Sequence, residues 1–196
     1  MISLVVLAAG KSTRMQGTNK LLVEIDGVPM ICRVVQAALE SKVDEVIVVL
    51  GWEQERIRAA LAGLPCRTVL NRNYDEGQSS SVKVGLADAG ALARAVMILP
   101  GDVAMIDTQS INTVAEKYLA EQRIVIVAAH EGRAGHPILF DRKLFPEIER
   151  INEATFGIKA VVKQHQTEVS MVETGSGNVL KDVDTKQDLK EILGQD

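Results

Sequence analysis

Along roughly the first two thirds of the chain, short apolar runs rich in β-branched side chains alternate with segments whose apolar residues recur every three or four positions. The runs fall at residues 2–8, 46–50, 95–99 and 124–129. A half-exposed strand would alternate apolar and polar side chains, whereas a continuous apolar run fits a strand buried on both faces, as in a parallel sheet covered by helices. The segments 30–39, 53–61, 79–92 and 107–119 carry the helical period, with Pro29 ahead of the first, serines opening the third and Asp107 opening the fourth. Proline suits a first helical turn, and Ser and Asp are N-cap residues. Alternating strand and helix predicts right-handed βαβ crossovers and an α/β architecture with a mostly parallel sheet. Ligands of such sheets sit beyond the carboxyl ends of the strands, so chemistry is expected in the loops that begin at Ala9, Gly51, Asn71 and Gly101.

After about residue 130 the rhythm changes. A short strand is expected at 136–140, helices at 145–151 and 156–165, and a strand at 168–172. Asp184 and Gln187 stand at capping-box spacing ahead of Leu189, Ile192 and Leu193, which predicts a short final helix capped by Asp184. There is no internal repeat, low-complexity tract or Pro/Ser-rich linker, so a single domain over 1–196 is expected.

Composition narrows the classes. With 196 residues, 46% of them apolar, the chain can bury a sizeable core without staples. A formal net charge of −4 and only 3% aromatic residues argue against nucleic acid as a partner, since that requires a basic face and usually stacking rings. Cys32 and Cys66 lie singly in apolar stretches and read as reduced, buried residues. The first apolar run ends at Ala9, too short to cross a bilayer, and it lacks the flanks of an export signal, so no membrane partner and a cytoplasmic location are expected.

Charge changes the picture locally. Straight off the first strand the chain reads LAAGKSTRMQGTNK from Leu7 to Lys20, with Lys11, Arg14 and Lys20 and no acidic residue before Glu24. Ala8, Ala9 and Gly10 let backbone N–H groups approach an anion closely while the cations neutralise it, which describes a polyphosphate site as well as it does a basic surface turn. Two familiar motifs are excluded by counting. A P-loop ending at Gly10-Lys11-Ser12 would need glycine at position 5, which is Val5, and a dinucleotide fingerprint would need glycine where Ser12 stands.

The second loop, beginning at Asn71, leads into Gly77 and three serines. Ser79 alone would suffice as a cap, leaving the hydroxyls of Ser80 and Ser81 either to fill the first turn or to hydrogen-bond a nucleoside. Asp102, just past the fourth run, would repel a polyphosphate unless a divalent cation lay between, and Mg²⁺ accepts one or two carboxylates plus phosphate oxygens. Asp182 and Asp184 offer a second carboxylate, and the choice between them is open. The three histidines show no zinc-ligand spacing.

These motifs in this order resemble the MobA-like nucleotidyltransferases, most closely the molybdenum cofactor cytidylyltransferases. The resemblance rests on LAAGKSTRM from Leu7, NKLL from Asn19 with Gly27 and Pro29, GQSSSVKVGL from Gly77, Gly101-Asp102, GHPILF from Gly135 and DVDTKQDL from Asp182. It implies a Rossmann-like three-layer fold of the nucleotide-diphospho-sugar transferase type. It also implies a nucleoside triphosphate donor, Mg²⁺, and transfer of a nucleoside monophosphate to a phosphorylated acceptor with release of pyrophosphate.

Carried over by position, Gly10, Lys11, Ser12, Arg14 and Lys20 would hold the triphosphate. Leu7, Ala8, Ala9 and Asn71 would complete the nucleotide site with Ser80 and Ser81, which would take the nucleoside. Asp102 with Asp184 would hold magnesium, Arg14, Lys20 and Asp102 would be catalytic, and Gly135, His136 and Pro137 would border the acceptor. LAAG looks like the cytidine-using relatives, so CTP is expected, with GTP as the alternative. The resemblance implies molybdopterin or molybdenum cofactor as acceptor, and with it a transient contact with a molybdoenzyme or its chaperone. A sugar phosphate or methylerythritol phosphate acceptor, or a non-catalytic nucleotide-binding regulator, are the rival readings. The chain departs from the family pattern at Ala104, where relatives often have proline, and at 152–157, where the cytidylyltransferases often carry an acidic, arginine-bearing loop.

Overall fold

The computed structural model describes residues 1–13, 19–121 and 123–193. In chain order its elements are β1 (Ile2–Ala8), the hairpin strands β2 (Glu24–Ile25) and β3 (Val28–Pro29), α1 (Met30–Leu39), β4 (Glu45–Leu50), α2 (Gln54–Ala60), β5 (Arg67–Leu70) and α3 (Gln78–Ala89). There follow β6 (Ala95–Pro100), α4 (Thr108–Glu121), β7 (Val125–His130), β8 (Arg133–Asp141), α5 (Phe145–Ile148), α6 (Ile158–Gln164), β9 (Val169–Glu173) and α7 (Lys186–Leu193). A seven-stranded sheet in the order β5-β4-β1-β6-β8-β7-β9 forms the centre. β5, β4, β1 and β6 pair in parallel, β8 runs antiparallel to both β6 and β7, and β9 is parallel to β7. The mostly parallel α/β expectation therefore holds, with one reversed strand.

Every residue of β1 is buried, and its side chains alternate between two cores. Leu4, Val6 and Ala8 pack with α1 and α4, whereas Val5, Leu7 and Ala9 pack with α3 and α5. Each fully buried Val or Leu contributes about 1.5–3 kcal/mol, so the paired cores hold the sheet between its helical layers. At Gly85 an added Cβ would stand 2.3 Å from Val5 Cγ1. This close approach packs the body of α3 directly onto the middle of β1.

Several local expectations change. β5 is a half-exposed edge strand carrying Arg67, so no uninterrupted apolar run marks it. β8 extends back to Arg133 through exposed residues, and α6 starts only after Phe156 and Gly157, both in left-handed backbone. Asp107 caps α4 as expected, its Oδ1 accepting from Ser110 N at 2.7 Å. Ser79 does not cap α3; the N-cap is Gly77, which has no side chain to offer. The final capping box also lies one residue further on than expected. Thr185 Oγ1 accepts from Asp188 N at 3.2 Å, and Asp188 Oδ2 accepts from Thr185 N at 2.6 Å. Among the described residues, no helix is long and apolar enough to cross a membrane.

Candidate active site

β1 and β6 are sheet neighbours, so the loops that leave their carboxyl ends share one crevice. Gly101 N donates to Leu7 O at 2.9 Å and brings Asp102 into it. Lys20 arrives on the 3₁₀ turn Lys20–Leu22, which is capped by Asn19 Oδ1 accepting from Leu21 N at 3.2 Å and anchored by buried Leu21. Asp184 comes from the segment before α7, where Val183 N donates to Asp102 O at 3.0 Å and ties the two aspartate segments together. Lys20 Nζ then donates to Asp102 Oδ2 at 2.6 Å and to Asp184 Oδ1 at 2.9 Å.

The three side chains are only 13%, 19% and 29% exposed, respectively, so little water screens them. Burial opposes the Lys20 charge, but the two carboxylates more than offset it and raise the ammonium pKa above its ordinary value. Lys20 is therefore a fixed cation at neutral pH. Asp102 Oδ1, in contrast, is buried with no hydrogen-bond partner. An orphaned carboxylate oxygen beside a second carboxylate is a donor set that fits a hard divalent cation completed by phosphate oxygens. Among the described residues no cluster of three or more His, Cys, Asp or Glu side chains forms a metal cage, so such a cation would depend on its ligand for the remaining donors.

These groups open into a cavity of about 500 Å³. Leu7, Ala9, Gly10, Lys11 and Ser12 line it from the first loop, and Gly77, Gln78 and Ser81 from the second. Tyr74, Asp75, Leu21 and Pro100 also line it, and none of these was singled out from the sequence. Lys11 reaches across the mouth, with Nζ 2.6 Å from Asp75 Oδ1 and 5.7 Å from the Tyr74 ring centroid. Ser12 Oγ accepts from Lys20 N at 3.2 Å. Ala8 points into the core on the α1 side and does not line the cavity. Arg14 lies outside the described residues.

The serine side is differently built. Asn71 is buried, and its Nδ2 donates to Ser80 Oγ at 2.8 Å and Ser81 Oγ at 3.0 Å. The Ser80 hydroxyl donates in turn towards Gly77 O at 2.7 Å and Asn73 O at 3.0 Å. Asn71 and Ser80 thus brace the wall from behind, while Ser81 reaches its surface.

His136 lines a smaller adjoining space with Leu7, Gln78 and Pro100, which also line the main cavity. Burial pushes its imidazole pKa down against the opposing pull of Asp102 and Asp182, which favours the neutral ring, and its Nδ1 has no hydrogen-bond partner. Gly135 lies so close to the Val179 carbonyl that an added Cβ would stand 2.2 Å from its oxygen. Pro137 follows at the start of the buried part of β8. Of the two late aspartates, Asp184 is the one on Lys20.

Known proteins resemble the chain in sequence and in fold. The chain is 28% identical over 198 residues to the bifunctional protein GlmU of Cutibacterium acnes, a match that covers 100% of this chain and 46% of that protein. It spans less than half the length of the GlmU relatives it matches. The crystal structure of Rv0371c from Mycobacterium tuberculosis superposes with a TM-score of 0.83 at 27% identity, covering 99% of this chain and 97% of that one. A second structure of Rv0371c, in complex with manganese, gives a TM-score of 0.78 at 25% identity over 98% of both chains. The MobA-like NTP transferase domain matches residues 4–169, so the chain belongs to that nucleotidyltransferase family.

Proposed function

We propose that this chain transfers a nucleoside monophosphate, CMP from CTP, to a phosphorylated small molecule, molybdopterin or molybdenum cofactor, and releases pyrophosphate. The observation that carries this reading is the Lys20 ammonium fixed by Asp102 and Asp184 at one wall of a crevice whose floor is the small-residue loop from Ala9 to Ser12. Membership of the family supports nucleotidyl transfer, and LAAG at 7–10 supports CTP over GTP.

The acceptor is a phosphate monoester whose second pKa near 6 leaves it largely a dianion at neutral pH, so it needs no strong base. Its oxygen forms a bond to the α-phosphorus of the donor while the bond from that phosphorus to the bridging oxygen breaks, and pyrophosphate leaves. The obstacle is the meeting of two anions, so the protein's task is positioning and charge neutralisation. Lys20 supplies fixed positive charge, and the small residues Ala9 and Gly10 on the cavity wall would let loop N–H groups approach the leaving group. Asp102 and Asp184 would hold a magnesium ion, which would supply further neutralisation of the phosphates. Gly135, His136 and Pro137 border the acceptor.

The test supplies CTP, GTP, ATP and UTP in turn with molybdopterin, molybdenum cofactor, a sugar 1-phosphate or methylerythritol phosphate, and follows pyrophosphate release. Acceptor-dependent release with CTP and molybdopterin or its molybdenum form is expected. Release only with another acceptor overturns the molybdopterin assignment, and nucleotide binding with no release across the panel overturns the enzyme in favour of a regulator.

A further inference from the structure

α3 begins without a cap of its own, because Gly77 occupies the N-cap position. The missing acceptor comes from a distant loop. Glu153 Oε1 accepts from Ser79 N at 2.7 Å across 74 positions of sequence. Gly77 has φ +100°, and an added Cβ there would stand 2.4 Å from Glu153 Cγ, so the carboxylate stem lies directly over the start of the helix. A second close approach lies beside it, because a Cβ on Gly157 would stand 2.8 Å from Ser79 Oγ.

The loop that delivers Glu153 is held from within. Asn152 Oδ1 accepts from Thr155 N at 3.1 Å, and Asn152 O accepts from Gly157 N at 2.9 Å. Glu153 is therefore presented by a preformed turn. The carboxylate also complements the positive end of α3. Gly77 and Gln78, the two residues immediately before the Ser79 N–H that Glu153 holds, line the main cavity, and Gln78 also lines the space beside His136 and the depression flanked by Phe156 and Lys159.

We infer that Glu153 is a positioning residue for nucleotide binding. It clamps the 152–157 loop onto the start of α3 and so fixes the part of the second loop against which the nucleotide lies. Glu153 itself does not line the main cavity; it acts through Ser79 N, which fixes the neighbouring Gly77 and Gln78. This inference rests on the reading given under Proposed function.

The experiment compares Glu153→Ala and Glu153→Gln with the wild type, measuring CTP and GTP affinity by calorimetry, steady-state constants with the active acceptor, thermal unfolding, and amide exchange at 77–80. Glu153→Ala is expected to raise the KM and Kd for nucleotide about tenfold, the scale of one lost cap, and to change kcat by less than about threefold. Exchange at Ser79 should accelerate. Glu153→Gln keeps a carbonyl acceptor at the same reach and is expected to recover most of the affinity. Unchanged nucleotide affinity in Glu153→Ala overturns the inference, as does an affinity loss that follows the fraction of unfolded protein or is not relieved by Gln. A wild type that binds none of the triphosphates overturns the proposed function and this inference together, whereas normal wild-type binding with an unaffected Glu153→Ala overturns this inference alone.

Discussion

The two walls of the crevice are built on different rules. On one side Lys20, Asp102 and Asp184 come from three distant parts of the chain, with Lys20 to Asp102 separated by 82 positions and Lys20 to Asp184 by 164. On the other, Asn71 holds Ser80 and Ser81 across 9 and 10 positions. The charged wall keeps a buried carboxylate oxygen without a partner, while the Ser80 hydroxyl both accepts and donates within the protein. Buried polar groups cost free energy unless they are hydrogen-bonded, so the unpartnered Asp102 oxygen, beside a second carboxylate and on the cavity, is a place for an external ligand, whereas the satisfied Ser80 hydroxyl acts as a brace.

The sharpest way to break this contrast is Asp102→Ala. Turnover should fall on the order of a hundredfold or more, the scale of one lost electrostatic stabiliser, while circular dichroism still reports the folded sheet. Near-normal turnover in a steady-state assay would remove Asp102 from the chemistry and leave the charged wall a structural network.

The serine wall should respond in the opposite currency. Ser80→Ala is expected to lower stability by about 1–2 kcal/mol in denaturant titration, because the Asn71 amide and the Gly77 carbonyl each lose a buried partner. Nucleotide affinity of the folded fraction should change little. A tenfold weaker CTP affinity at unchanged stability would return Ser80 to the binding surface and erase the distinction.

The smallest effect lies outside both walls. The His165 ring sits 2.9 Å from Glu147 Oε2 and 3.3 Å from Glu168 Oε1, and the hydrogen bond to Glu147, with that to Glu168, raises its pKa despite some burial. The folded chain thus holds this proton more tightly than the unfolded chain. The resulting stabilisation is complete below the unfolded value of about 6.5 and is lost as pH rises through the higher folded value. Thermal unfolding across that window should show a modest decline that His165→Gln flattens, with the pH dependence of nucleotide binding unaltered. A decline of equal slope in the variant would assign it to other groups.

The four continuous apolar strands could be read from the sequence because burial on both faces leaves no polar alternation to confuse them. β5 could not, since an edge position tolerates Arg67 and half-exposed neighbours. The hairpin strands β2 and β3, two residues each, are too short for any period to register. In the crevice, residue type and loop position were enough to nominate Lys20 and Asp102, whereas Asp184 stood apart from Asp182 only through the family resemblance. Their mutual distances were not readable, because nothing local encodes a contact across 164 positions. Asp184 also matched a capping pattern that the chain instead builds from Thr185 and Asp188, one residue later. The segment 152–157 stands out in the sequence only as a departure from the family pattern, and nothing local assigns Glu153 a role. Gly77 at the head of α3 is a usable signal, since a helix whose N-cap lacks a side chain needs an acceptor from elsewhere, but the residue that supplies that acceptor cannot be located from sequence.

The reach from Lys20 to Asp184 also has a bearing on synthesis. A chain emerging from the ribosome can pair β1 with β4 and β6 long before residue 184 is added, so a sheet with native strands can exist while the lysine has only one of its two carboxylates. Bridging so large a separation makes this one of the most non-local contacts in the fold, and non-local contacts form late. A nascent chain stalled before Asp184 should therefore already pair its central strands and still lack the completed crevice, so that competence to handle a charged ligand waits until residue 184 has emerged.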